Sequence, residues 1–220
     1  MRVKTDAKRQ EILAAAGDVF REQGFAGASM AAVAERVGGS KATLYRYFDS
    51  KEDLFVTVML DAVLDHANEV FDTLRPSEDL RRTLERFGVS FLVLSLSEES
   101  LSVRRNSIAE GWRSGLGERF YERGAKLLWS RMADFLAAEM ETGRLRREDP
   151  WMVAMHLRGM LEADLVNRAL IGAQVDARKA SLKPHAARAV EALLRAYGQT
   201  AEGRSANATP PSTGKVAPTT

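Results

Sequence analysis

Apolar residues return along this chain at steps of three and four, and no stretch keeps the strict alternation that marks a half-buried strand. The first stripe, Ile12, Leu13, Ala16, Val19 and Phe20, predicts a helix over 7–23. Gly24 tolerates the positive φ of a helix stop, and Phe25 is expected to fold back on Phe20. Ser29 then caps a short helix over 30–37, Gly38 and Gly39 break it, and Ser40 caps a third over 41–47. Ser50 with Asp53 forms a capping box for a fourth helix starting at Lys51.

"RPSED" interrupts the chain, and further helices are predicted over 79–96, 103–112 and 118–141. Asp149 and Pro150 open an eighth that reaches about Ile171, and a ninth runs from near Pro184 to Gly198. The expected fold is therefore all-α with about nine helices. It divides into a flexible arm (1–6), a helix-turn-helix unit (7–58), a larger helical domain (59–200) and a disordered tail (201–220), the last small, polar and proline-containing.

Composition narrows the function classes. The 220 residues are 45% hydrophobic, enough for a real core. Without cysteine there is no disulfide framework, thiolate metal site or cysteine nucleophile. The formal net charge of +2 is too small for binding by bulk field, so any nucleic-acid surface must be built from placed groups. No signal peptide and no apolar run of membrane-spanning length stand out, and the expectation is a cytoplasmic protein with no membrane role.

Candidate chemistry concentrates in "GGSKATLYRYFDSKEDLF", residues 38–55. Val33, Ala34, Val37 and Leu44 have the spacing to hold a short helix pair against the first helix, a helix-turn-helix pattern that carries the third helix outward, N-terminus first. Ser40, Lys41, Ala42 and Thr43 then form the leading turn that a major groove meets. Lys41 can donate to guanine acceptors or phosphate, Ala42 permits close approach, and Thr43 offers a hydroxyl and a methyl. Tyr45, Arg46 and Tyr47 suit phosphates, and Lys51 adds charge at a helix N-terminus. Plain packing units also show this pattern, and Leu44 and Phe48 read as core.

Here the chain resembles the DNA-binding domain of the TetR family of transcriptional regulators. Ser29, Ala34 with Gly38, Leu44–Tyr45, Tyr47–Phe48, and Lys51 with Leu54 match the family pattern. The resemblance implies DNA contacts from Ser29, Ser40, Lys41, Thr43, Tyr45, Tyr47 and Lys51. Gly39 stands where valine is common, and Ala31 where some members place a base-reading arginine. The segment from Ile108 to Leu161, with "FYERG" and "GRLR..DP", is similar to the C-terminal domain of the AefR-like subgroup. The implied protein is a homodimeric regulator, a repressor, that binds a palindromic double-stranded operator and is released by a small-molecule effector; the alternatives are a ligand-independent DNA-binding regulator and a helical ligand-binding protein or enzyme whose helix-turn-helix is only structural.

In the larger domain, Leu161, Leu165, Val190, Leu193, Leu194 and Tyr197 lie on apolar helices and are expected at a dimer interface, an intrachain core being the plainer reading for part of them. Candidate effector contacts are Phe87, Phe91, Leu94, Trp112, Phe120, Tyr121, Leu128, Met132 and Met160, most of which ordinary core packing would also explain. Asp164 and Asn167 interrupt an apolar helix and could orient a ligand or pair across the dimer. His156 reads as a core histidine. His66 near Asp65 and Glu69 is a weak metal set, better read as a solvated ridge, so no metal and no cofactor are expected. No nucleophile triad, catalytic carboxylate pair or phosphate loop stands out, which argues against an enzyme.

Overall fold

The structure, a computed structural model, describes residues 5–75 and 79–199, so residues 1–4 of the expected arm, the centre of "RPSED" and the whole expected tail lie outside the described residues. Every regular element among the described residues is helical. The N-terminal head comprises α1 (Asp6–Gly27), α2 (Met30–Val37), α3 (Lys41–Tyr45) and the start of α4 (Lys51–Phe71). Each begins on a side-chain cap: Thr5 accepts from the Lys8 amide, Ser29 from Ala32, Ser40 from Thr43 and Ser50 from Asp53. Gly24 does break α1, with φ 67°, although one more helical turn follows it. Phe25 packs on Phe55 at 4.9 Å between ring centroids, and Phe20 meets the same ring at 4.9 Å. The expected contact is thus routed through α4.

The body adds α5 (Leu80–Ser95), α6 (Glu98–Ser114), α7 (Gly117–Phe120), a π-helical turn (Tyr121–Lys126), α8 (Leu127–Glu141), α9 (Pro150–Glu162), α10 (Leu165–Leu170) and α11 (Lys179–Tyr197). Several boundaries differ from the sequence expectation: α1 runs on to Gly27, and the single helix expected over 118–141 is divided into α7, the π turn and α8. Helix α3 ends at Tyr45 and not at Tyr47. Helix α6 is longer than 103–112 because Ser97 caps it and Gly115, at φ 72°, closes it. The apolar run after Pro150 is two helices, because the chain turns a corner at Asp164 (φ 64°, ψ −45°) with the Leu165 amide bonded to the Ala163 carbonyl at 2.8 Å. That is a tight γ-turn of the strained, positive-φ kind, and neither glycine nor proline marks it in the sequence. Helix α11 starts before Pro184 and carries it inside its N-terminal part.

Two apolar clusters result. One holds Ile12, Val19, Phe20, Val33, Leu44, Leu54 and Phe55, and it also takes in Leu116 and Phe120 from the body. The other gathers Leu84, Phe87, Trp129, Met132, Leu136, Leu157, Leu161 and Leu193. Helix α5 crosses α9 and α11 closely at Gly88, where an added Cβ would lie 3.0 Å from Leu161 Cδ2 and 3.2 Å from Ala186 Cβ. Gly88→Leu is therefore expected to overpack this crossing and cost about 1–3 kcal/mol, read as a lower urea midpoint at unchanged slope.

Candidate nucleic-acid interface and cavity

The α2–α3 turn is set by Gly38, which sits in the left-handed region (φ 67°, ψ 35°) and closes α2, while the Gly39 amide reaches back to the Ala34 carbonyl at 2.9 Å. Leu44 is fully buried under α3 and Phe48 nearly so. This leaves the opposite face outward: Lys41, Ala42, Tyr45 and Arg46 are exposed, Thr43 and Tyr47 half-buried, and Ser29 exposed at the start of α2. Ser40 Oγ accepts from the Thr43 amide at 3.1 Å and lies 3.0 Å from Thr43 Oγ1, so both hydroxyls are preset by the cap. Tyr47 Oη accepts from the Thr5 amide, 3.2 Å away, tying the beginning of α1 to this surface.

Arg36 and Lys51 are engaged within the protein. Arg36 grips Glu22 with both terminal nitrogens (3.1 and 2.6 Å), fixing α2 to α1 and holding the Glu22 carboxyl below its usual range. Lys51 Nζ donates to the carbonyls of Phe25 (2.8 Å) and Ala28 (3.2 Å) and stands 4.3 Å from the Phe25 ring centre. Lys51 thus ties the end of α1 to α4, a structural role the sequence did not suggest.

A cavity of about 300 Å³ opens among α4, α5, α6, the π turn and α8. Of the expected lining, Phe91, Leu94, Phe120, Tyr121 and Leu128 are there. The others are not. Phe87 and Met132 are fully buried in the body core, and Met160 packs against that core away from the cavity. Trp112 is 94% exposed, and Asp164 and Asn167 face solvent, Asp164 pairing with Arg168 on its own helix. The residues that α4 brings to the cavity (Leu60, Leu64, Phe71) and the charged end formed by Arg104 and Arg158 were not among those expected. Period-based reading finds apolar stripes, and arginines reaching inward from two helices leave no such trace.

At that charged end Glu162 accepts from Arg104 (2.7 Å) and Arg158 (3.3 Å). Burial pushes the Glu162 carboxyl up, but the hydrogen bond and charge of Arg104, then Arg158, outweigh it and hold the group below its ordinary range.

The cavity wall also touches the head. Phe120 meets Phe55 edge-on at 6.0 Å. Arg123, on the π turn, binds Asp53 at 2.5 Å and donates to Thr57 Oγ1 at 2.8 Å, both on the first turns of α4. Gly124 permits this approach, since a Cβ there would come within 2.9 Å of Leu60 Cδ2.

Of the residues expected at a dimer interface, three face inward and three are partly exposed. Leu161, Val190 and Leu193 are fully buried within the chain, and Leu165, Leu194 and Tyr197 pack half-buried against the same core. Both helices are apolar on more than one side, so the stripe that the sequence made most visible belongs to the core. The outward stripes are Met152, His156 and Gly159 on α9, and Arg188, Ala192 and Ala196 on α11. His156 is exposed and no core histidine; its Nδ1 bonds Tyr197 Oη.

Among the described residues no helix is long and apolar enough to cross a membrane, and no group of three or more His, Cys, Asp or Glu side chains could hold a metal.

A capped helix-turn-helix on a helical body with an apolar cavity defines a class of one-chain regulators. Residues 12–58 match the model of bacterial regulatory proteins of the tetR family, and residues 82–199 match the AefR-like transcriptional repressor C-terminal domain. The chain belongs to the TetR family of transcriptional regulators, with an AefR-like C-terminal domain. It is 36% identical over 83 residues to the transcriptional activator FasR of Mycolicibacterium smegmatis, 38% of each chain. It is 30% identical over 128 residues to the regulator UidR of Escherichia coli, 52% of this chain and 57% of that one. These alignments span less than two thirds of either relative. Among solved structures, a TetR-family regulator from Mesorhizobium loti is similar at 30% identity and TM-score 0.75, over 90% of this chain and 100% of that one. The flavonoid-responsive regulator FrrA is similar at 26% identity and TM-score 0.76 over the same shares.

Proposed function

We propose that this regulator is a homodimeric repressor that binds a palindromic operator through α3 and leaves it when a small effector occupies the cavity. The head (7–58) reads DNA; the body (59–200) binds effector and dimerises through the outward faces of α9 and α11. The observation that carries the reading is that one wall serves both sites: Phe120 and Tyr121 line the cavity, while Phe120 and Arg123 of the same segment hold Phe55 and Asp53 at the start of α4. A displacement of that wall reaches the head directly. FrrA, similar over its full length and named for its response to flavonoids, supports a compact, largely apolar effector. Two heads must meet successive major grooves, so half-sites are spaced by one helical turn or a multiple.

The test is DNA selection by the purified protein, followed by salt titrations on the recovered sites. Lys41→Ala and Thr43→Ala are expected to change which bases are preferred, at about 1–3 kcal/mol for a good contact. Lys51→Ala is expected to weaken all sequences alike and to lower the melting temperature too, because Lys51 also fastens Phe25 and Ala28. If Lys41→Ala and Thr43→Ala select the parental sites with parental affinity, α3 does not read bases.

A further inference from the structure

The effector cavity is not uniformly apolar. Phe71, Phe91 and Trp129 form one side, with Trp129 edge-on to Phe71 at 5.6 Å and to Phe91 at 5.1 Å. Its charged lining consists of Arg104 and Arg158 alone among the described residues, and no carboxylate faces the space. Glu162 stands behind the two guanidiniums and is the only ion-pair partner the described residues give either of them. Two positive charges against one negative leave an excess of one, offset only in part by the Trp129 ring 5.7 Å from the Arg158 guanidinium, at side chains 27% and 25% exposed. A half-buried, uncompensated cation is costly, and an anion beside it restores balance. A second observation points the same way. Ser95 lines the cavity at 3% exposure, and its hydroxyl has no hydrogen-bond partner among the described residues. The hydroxyl is reached from the cavity side, since it is not one of the buried polar atoms left without a partner, and it can donate to an acceptor that enters there.

We propose that the cavity selects a compact amphipathic monoanion, an aryl or short alkyl carboxylate, whose apolar body lies against Phe71, Phe91 and Trp129 and whose carboxylate meets Arg104 and Arg158. This rests on the cavity being the effector site. Guanidinium forks suit the planar carboxylate geometrically as well as by charge. The volume of about 300 Å³ lies at the lower end of the roughly 300–1,000 Å³ usual for ligand pockets, which suits a compact ligand such as one ring with a short acid side chain. Glu162 competes with the ligand for the same guanidinium hydrogens, and so it sets the affinity without touching the ligand.

Calorimetric titration of the full chain with 3-phenylpropanoate and with its neutral isostere 3-phenylpropanamide tests this. The acid is expected to bind roughly 10- to 100-fold more tightly than the amide, the range of one or two charge-assisted hydrogen bonds. Arg104→Leu is expected to erase that preference and leave amide affinity in place. Glu162→Gln, a near-isosteric change, is expected to lower the melting temperature, tighten acid binding and leave amide binding unmoved. A purely structural role for Glu162 would instead loosen both. Equal affinity for acid and amide overturns the anion inference; if the amide also releases operator, the effector reading stands without it. If neither compound binds, the inference fails, and a scan for any operator-releasing compound then decides whether the cavity is an effector site at all.

Discussion

Leu193→Glu should unfold the body of this regulator, whereas Ala192→Glu, one residue earlier on α11, should leave a folded monomer. Leu193 is fully buried against α5 and α9 within a single chain, so a carboxylate there has neither water nor a partner. Such a substitution costs more than about 4 kcal/mol, a large share of the roughly 5–15 kcal/mol that holds a typical domain together. Ala192 points outward between Arg188 and Ala196, beside the Met152–His156–Gly159 stripe of α9. Its side chain disturbs nothing within the chain. In the proposed dimer the same position is covered, and a charge there opposes association. Monomers would lose the linkage of two heads, and operator affinity should fall by about 10²–10⁴-fold. Circular dichroism melts, sedimentation velocity and operator binding read the three quantities separately. An Ala192→Glu protein that still sediments as a dimer would place the interface on another face.

Arg123→Met should leave both ligands bound and cut the communication between them. Arg123 does not line the cavity and is not among the residues expected to touch DNA. Its role is to clamp the π turn to Asp53 and Thr57. With it removed, Phe120 against Phe55 is left to carry the wall's movement to the head. Coupling between effector and DNA in such systems is about 1–3 kcal/mol, and removing one limb of a link changes coupling by about 0.5–2 kcal/mol. Operator affinity measured with and without effector should therefore differ less in the variant. Linkage requires that operator weaken effector binding less by the same factor. Unchanged coupling in both titrations would show that α4 is moved by some other route.

The local structure of the helix-turn-helix was largely legible in the sequence because its determinants are local. Ser29, Ser40 and Ser50 cap the helices that follow them, Gly38 takes the positive φ of the turn, and Leu44 and Phe48 turn inward as their spacing requires. The cavity was half legible: Phe91 and Leu128 follow from periodicity, but Arg104 and Arg158 come together only when α6 and α9 are placed side by side. The burial of Leu161, Val190 and Leu193 was missed for the same reason. Helices α9 and α11 have apolar residues on several sides, and only their packing on α5 shows that Leu161, Val190 and Leu193 are already covered. The corner at Asp164 was invisible, since an aspartate amid apolar residues does not announce a turn.

The π turn at Tyr121–Lys126 bears on how relatives of this protein can diverge. A turn closed from residue to residue-plus-five holds one residue more than the α-helical turns on either side. Loss of that spare residue would let the segment relax to an uninterrupted α-helix. The N-terminal end, with Leu116 and Phe120 in the head cluster, and the C-terminal end, with Trp129 and Met132 in the body core, could each keep their seats. What would change is the side chains between them, turned by about 100° relative to one flank, the angle one residue subtends on a helix. Tyr121, Gly124 and Ala125 would then present a different surface to the cavity. A single-codon deletion could thus redraw ligand preference while the DNA-facing head and the outward faces of α9 and α11 stay as they were.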